Sequence, residues 1–196
     1  HRIKNHLQGL IGLLKHRKNS GIDHNQALNE ALSQIDSIAV VSGLQANRSG
    51  AKIHFRQMLK AILRSAEGIT DITVAFNDDL EEGMCEVDRE KAVALSLVIN
   101  ELLMNAIKHF QQQDKGDMIR VSHQHRRDKI ILLITNPGIL PDEFDYTTGI
   151  GCGTGLELAA AMLPSHGAKL KLFQKEDEVV AELVIGPPLL KEFKHY

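Results

Sequence analysis

The chain of 196 residues sets 23 basic against 25 acidic side chains, a formal charge of -2, with 43% hydrophobic content. So even a balance creates no broad field to draw nucleic acid or an anionic membrane surface, and any recognition of phosphate has to be local. No apolar run nears the roughly 18 residues needed to cross a bilayer, and the start His1-Arg2-Ile3-Lys4-Asn5 is no secretory signal, so this region is expected to make no membrane contact and to be cytoplasmic. Cys85 and Cys152, far apart and without CxxC spacing, fit a reducing compartment, and the lack of an initiator methionine points to a larger parent protein.

From the start, Ile3, Leu7, Leu10 and Leu14 step by four, three and four, the seam of a bundle helix. Turn chemistry at Lys18 to Asp23, with Gly21, ends it. A second helix carries the stripe Leu28, Leu32, Ile35, Ala39 and Val41 to about Leu44. A hairpin of this kind leaves an apolar face that it cannot cover alone, and two copies joined in a four-helix bundle would cover it, so a homodimer is expected. The polar stretch from Gln45 to Ala51 breaks the period, which divides the chain into a helical hairpin over 1–46 and a second domain over 47–196.

The second domain reads as α/β. The spacing predicts a helix over 56–67, a strand over 72–76 and a long helix over 89–110. A hairpin of strands over 118–123 and 129–135 follows, then a Gly-rich loop, a helix over 155–163 and strands over 169–174 and 179–185. Helices on one face of a mixed sheet are expected, which makes the whole chain α+β.

Three clusters carry chemistry. In the run Asn100 to His109, Glu101, Asn105 and Lys108 or His109 recur at four, then three or four, and share a helix face. A carboxylate and an amide one turn apart are hard oxygen ligands for magnesium, and the lysine can neutralise phosphate; a solvated stripe would show the same spacing. The run Gly149 to Leu158 places Gly149, Gly151, Gly153 and Gly155 just before a helix, so that exposed amides and the helix dipole could hold an anion; a flexible connection looks alike, and no Walker lysine is present. Finally, Ile134-Thr135-Asn136-Pro137-Gly138 ends a buried-looking strand in a turn where Asn136 could accept from an adenine amino group and Gly138 could admit the base.

In order and spacing these boxes resemble the ATPase domain shared by gyrase-type enzymes and histidine kinases (GHKL): Asn100 to His109 looks like the N box, Asn136 to Gly138 like the first glycine box and Gly151 to Leu156 like the second. The resemblance runs from roughly His54 to Pro188. It implies an α/β sandwich in which ATP lies between the long helix and a lid formed by Ile139 to Cys152. Asn105 and Glu101 would hold Mg²⁺, Lys108 and His109 would meet phosphate, and Gly153, Thr154 and Gly155 would cradle it. The family usually has aspartate where this chain has Asn136; asparagine keeps an acceptor oxygen without charge assistance, which implies weaker ATP binding.

The start His1-Arg2-Ile3-Lys4-Asn5-His6-Leu7-Gln8 resembles the phosphoacceptor motif of histidine kinases that reads His-Arg-x-Lys-Asn. By that resemblance His1, neutral at its ring nitrogen, takes the γ-phosphoryl group of ATP and passes it to an aspartate of a response-regulator receiver domain. The chain is accordingly expected to be a sensor histidine kinase core. The alternatives are a degenerate phosphotransfer or docking scaffold, and an anti-sigma-type serine kinase, which shares the ATPase domain and needs no His1 hairpin. His6, His16, His24, His54, His123, His125, His166 and His195 lack ligand spacing and are expected at the surface.

Overall fold

A computed structural model describes residues 24–46, 52–70, 72–78, 85–110 and 118–191. His1 and the expected first helix lie outside the described residues. Helix α1 (His24–Ala46) is followed by strand β1 (Lys52–His54) and helix α2 (Phe55–Thr70). On α2 the buried Phe55, Met58, Leu59, Ile62, Leu63 and Ala66 step by three and one, which lays one continuous apolar face against the core.

Strands β2 (Val74–Asn77) and β3 (Glu86–Asp88) lead into the long helix α3 (Arg89–Lys108). Asp88 caps α3, its side chain accepting from the Glu90 amide at 2.9 Å. Glu90 in the first turn and Lys108 in the last complement the helix dipole. The helix is apolar nearly all round, from Ala92 and Val93 to Ala106 and Ile107, because it runs through the middle of the molecule and touches α1, α2 and the sheet. Its C-terminal end, with Lys108 and His109, is exposed.

After α3 come β4 (Ile119–Arg126), β5 (Lys129–Pro137), helix α4 (Thr154–Met162), β6 (Ala168–Lys175), β7 (Glu178–Ile185) and β8 (Leu190–Lys191). A five-stranded sheet has the order β2-β4-β5-β7-β6; β2 and β4 are parallel and the other neighbours antiparallel. The mixed sheet and α+β class expected from the sequence are therefore observed. A second sheet, β1-β3-β8, is three-stranded and antiparallel, and was not predicted: its strands of two or three residues are too short to show a period of two.

The period of two also sets up the site. Ile130, Leu132 and Ile134 face the helices along β5, so the next residue on that face is Asn136, at the strand's end. Across the ladder Asn136 pairs with Val179, and Val179 pairs with Gln174 of β6.

One expectation needs correction. His123 is not at the surface: it is 2% exposed on β4, edge-on to Phe76, with its Nε2 atom 3.4 Å from Asp78 Oδ1. Asp78 accepts from Arg56 Nε at 2.8 Å and is also ion-paired with Lys60, so α2, the end of β2 and β4 meet at one carboxylate. Alternation of side chains along a central strand put His123 inside, a placement that spacing between histidines could not show. On α1, Leu28 (58% exposed), Leu32 and Ile35 of the expected stripe point away from the described residues, while its Val41 joins Ala31, Ser33, Gln34, Ser37 and Ile38 on a buried face. This second face, stepping by three and four at 31, 34, 38 and 41, packs α1 against α2 and α3.

Candidate functional site

A cavity of about 340 Å³ opens where the end of α3, the end of β5 and the start of α4 meet, within the size range of small-molecule sites. Glu101, Asn105, Lys108 and His109 of the α3 end line it on one side, and Gly151, Gly153, Gly155 and Leu156 on the other. Asn136 and Gly138 lie between them, with Val179 and Leu172 of the sheet. The helix face and the glycine-dense loop, proposed from the sequence to converge, thus line one cavity. Thr154 begins α4 beside it; His1 lies outside the described residues.

The α3 side is graded from buried to exposed. Glu101 is 6% exposed, Asn105 half-buried, and Lys108 and His109 exposed at the mouth. Partial burial and the Lys108 charge hold the His109 imidazole below its ordinary value, so it is neutral at pH 7. Its backbone N–H closes α3 by donating to Asn105 O at 3.1 Å.

At the end of β5, Asn136 is buried and its Nδ2 donates to Pro137 O at 3.0 Å, which fixes the amide and leaves Oδ1 as the acceptor. Gly138 has φ 152°, and a Cβ there would sit 3.3 Å from both His109 O and Asn136 Nδ2, so only glycine lets the strand end approach the helix end this closely. The backbone beyond it is held by Gln174: its Nε2 donates to Gly138 O at 3.1 Å and its Oε1 accepts from Leu140 N at 2.8 Å.

The lid segment folds on itself. Asp145 accepts from Thr147 N at 2.8 Å and from the Thr147 hydroxyl, and pairs with Ile150 in an isolated bridge. The Thr147 bonds, first of all its hydroxyl, hold the Asp145 carboxyl below the usual carboxylate range. Gly151, at φ 74°, packs on Phe144, whose Cδ2 would lie 3.2 Å from an added Cβ. Phe144 lines the cavity beneath the turn. Gly153 is the N-cap of α4, and with Gly155 and Leu156 it turns that helix's N-terminus toward the cavity. Burial raises the thiols, Cys85 to about 11 and Cys152 in the same direction.

Sequence reasoning missed Gln174, Phe144, Met104 and Val179, which border the cavity or hold its rim. Gln174 and Val179 were reachable by continuing the alternation of β6 and β7 to the register of Asn136. Phe144 carried no signal, since its role depends on how the lid turns.

The donor set fits a metal-chelated nucleotide. A buried carboxylate and an amide one turn apart open onto the cavity beside apolar walls and a helix N-terminus. Among the described residues no group of three or more His, Cys, Asp or Glu could hold a metal ion.

The fold is that of solved histidine kinase domains. The described structure resembles the histidine kinase domain of the blue-light activated histidine kinase EL346 from Erythrobacter litoralis, with a TM-score of 0.70 at 18% identity, over 96% of this chain and 90% of that one. It also resembles histidine kinase ThkA, solved in complex with the response regulator protein TrrA, with a TM-score of 0.55 at 19% identity, over 95% of this chain and 59% of that one. Residues 1–69 match the family HisKA_2, described as histidine kinase. That match covers about a third of the chain, and the solved structures share its fold. Among curated proteins it is 29% identical over 111 residues to the sensor histidine kinase PdtaS of Mycolicibacterium smegmatis, 56% of this chain and 22% of that protein. The match thus spans about a fifth of the relative's length. Among the described residues no helix is long and apolar enough to cross a membrane.

Proposed function

We propose that this chain is the kinase core of a two-component sensor, which phosphorylates His1 from ATP and passes the phosphoryl group to a response-regulator aspartate. The observation that carries the reading is the single cavity shared by the polar end of α3 and the glycines before α4. Glu101 and Asn105 would hold Mg²⁺, and Asn136 Oδ1 would accept from the adenine amino group. Gly138 would admit the base edge and the apolar walls from Leu172, Val179 and Leu156 its faces. Lys108 and neutral His109 at the mouth, with the α4 amides at Gly153, Thr154 and Gly155, would meet the phosphates. Bound magnesium would supply charge neutralisation on the triphosphate. His1, as neutral imidazole, forms the N–P bond while the bond from γ-phosphorus to the β-bridging oxygen breaks and ADP leaves. Positioning supplies most of the rate.

The division after Ala46 follows from this reading, with the hairpin presenting His1 and the rest of the chain binding nucleotide. The outward stripe Leu28, Leu32 and Ile35 on α1 supports a homodimer through the hairpin. The match to a kinase solved with its regulator supports a receiver-domain partner. Cytoplasmic placement accords with the reducing chemistry of two free thiols.

The test is incubation with Mg²⁺ and γ-labelled ATP of the chain extended upstream of His1. Label that is acid-labile and lost in both His1→Gln and Asn105→Ala is expected; label persisting in both variants removes the assignment. One observation favours a second reading, a scaffold that no longer binds nucleotide: Asn136, with its neutral amide already committed to Pro137 O. Absence of any thermal shift with Mg·ATP would select it.

A further inference from the structure

Gln34 lies on the buried face of α1 and reaches the nucleotide cavity's deepest polar group. Its Nε2 donates to Glu101 Oε1, across 67 positions of sequence. Both side chains are nearly sealed from solvent, Gln34 at 4% and Glu101 at 6% exposed. The neighbouring residues repeat the pairing: Ser33 Oγ donates to Asn100 Oδ1 at 2.8 Å, and both are fully buried. Two successive residues of α1 are matched to two successive residues of α3, so a slip of α1 by one position breaks both bonds.

Resting on the kinase reading above, we infer that Gln34 is a positioning residue for the cation-holding carboxylate Glu101, and that it couples the seating of the hairpin helix to the nucleotide site. A buried carboxylate needs donors to stay in place. An amide supplies one without adding charge, so Gln34 orients Glu101 toward Asn105 and the cavity while leaving the carboxylate's charge for a cation. The coupling is reciprocal by linkage: whatever tightens the metal–nucleotide complex through Glu101 also tightens α1 on α3, and a displaced α1 weakens that complex.

The experiment compares binding of a non-hydrolysable ATP analogue with Mg²⁺ and with chelator, by titration calorimetry on the whole chain. The affinity ratio of the two conditions isolates the cation's share. Gln34→Met, close to isosteric but without the donor, is expected to lower this ratio about ten-fold and to leave metal-independent affinity within about two-fold, the size of one bond to a charged group. Glu101→Gln should bring the ratio near one, and adding Gln34→Met to it should change nothing more. Ser33→Ala, which removes only the neighbouring bond, should lower the melting temperature and leave the ratio as in the wild type. Should Gln34→Met not fold, Gln34→Asn, with the amide drawn back by a methylene, carries the same comparison.

A variant that weakens both conditions equally, keeps the wild-type ratio, or adds to the Glu101→Gln effect overturns the inference alone. A wild-type chain that binds the analogue under neither condition overturns the kinase reading and the inference with it.

Discussion

On the proposed kinase reading, one side-chain atom at the end of β5 would decide how firmly adenine is held. Replacing Asn136 by Asp exchanges a neutral acceptor for a charged one, and bonds to charged groups exceed neutral ones by about 1 kcal/mol. Asn136→Asp should therefore tighten nucleotide binding about five-fold by calorimetry. It should also lower the melting temperature, because the donor to Pro137 O disappears. A second prediction concerns His109, whose pKa is lowered by burial and by Lys108. Its folded state binds fewer protons than the unfolded chain, so this residue's share of stability is complete above about pH 6.5 and fades as the pH falls below that value. Phosphates favour the imidazolium, so nucleotide affinity should climb over the same fall in pH, and His109→Gln should flatten that climb in titrations from pH 7.5 to 5.5. The cavity residues that sequence alone disclosed, Glu101, Asn105, Asn136 and the loop glycines, are those whose chemistry demands a residue type at a fixed spacing. Gln174 and Gln34 stayed hidden because each works on a partner from another element, and glutamine has no spacing signature of its own.

Among the elements, α1 shows how a helix can hold two faces of different character. The apolar steps at 28, 32 and 35 dominate its pattern and drew attention to a partner helix, yet they are exposed in the described residues. The face actually buried is built from small and polar side chains, Ser33, Gln34 and Ser37, with Ala31, Ile38 and Val41 around them. Hydrophobic periodicity weighs such residues near zero, which is why the docking of α1 on α3 was not legible. If the outward stripe joins two hairpins, Leu32→Glu with Ile35→Glu should convert dimer to monomer in sedimentation while the part built on the five-stranded sheet stays folded. The lid offers a sharper case. At Gly151, φ 74° and the nearness of Phe144 both exclude a side chain. Gly151→Ala should thus disorder the turn at a cost of about 1 kcal/mol, roughly five-fold in nucleotide affinity, with little change in melting temperature, because the lid is outside the core.

For the whole molecule, the order of helices and strands after α1 was readable to within a few residues, since strong periods mark α2, α3 and the long strands. The small sheet β1-β3-β8 was not, and neither was the junction at Asp78, where side chains from α2 and β4 meet the end of β2. The Arg56 bond, ahead of Lys60, holds the Asp78 carboxyl well below the usual carboxylate range. Its contribution is therefore whole above about pH 4 and is lost as acid protonates it, so Asp78→Asn should lower stability at pH 7 by about 1.5–3 kcal/mol in urea unfolding and should reduce the loss on acidification. Mg·ATP at a hundred times its dissociation constant should add about 2.7 kcal/mol, a rise of roughly 5–10 °C in melting temperature. The grip of Gln174 on Gly138 and Leu140 also gives the lid a direction. Its first residues are riveted to a sheet edge by one amide, whereas its last are a run of glycines entering α4. Opening should therefore start at the glycine end and travel backward, so that, on the proposed reading, a nucleotide would enter and leave past its phosphates while the adenine end stays shut.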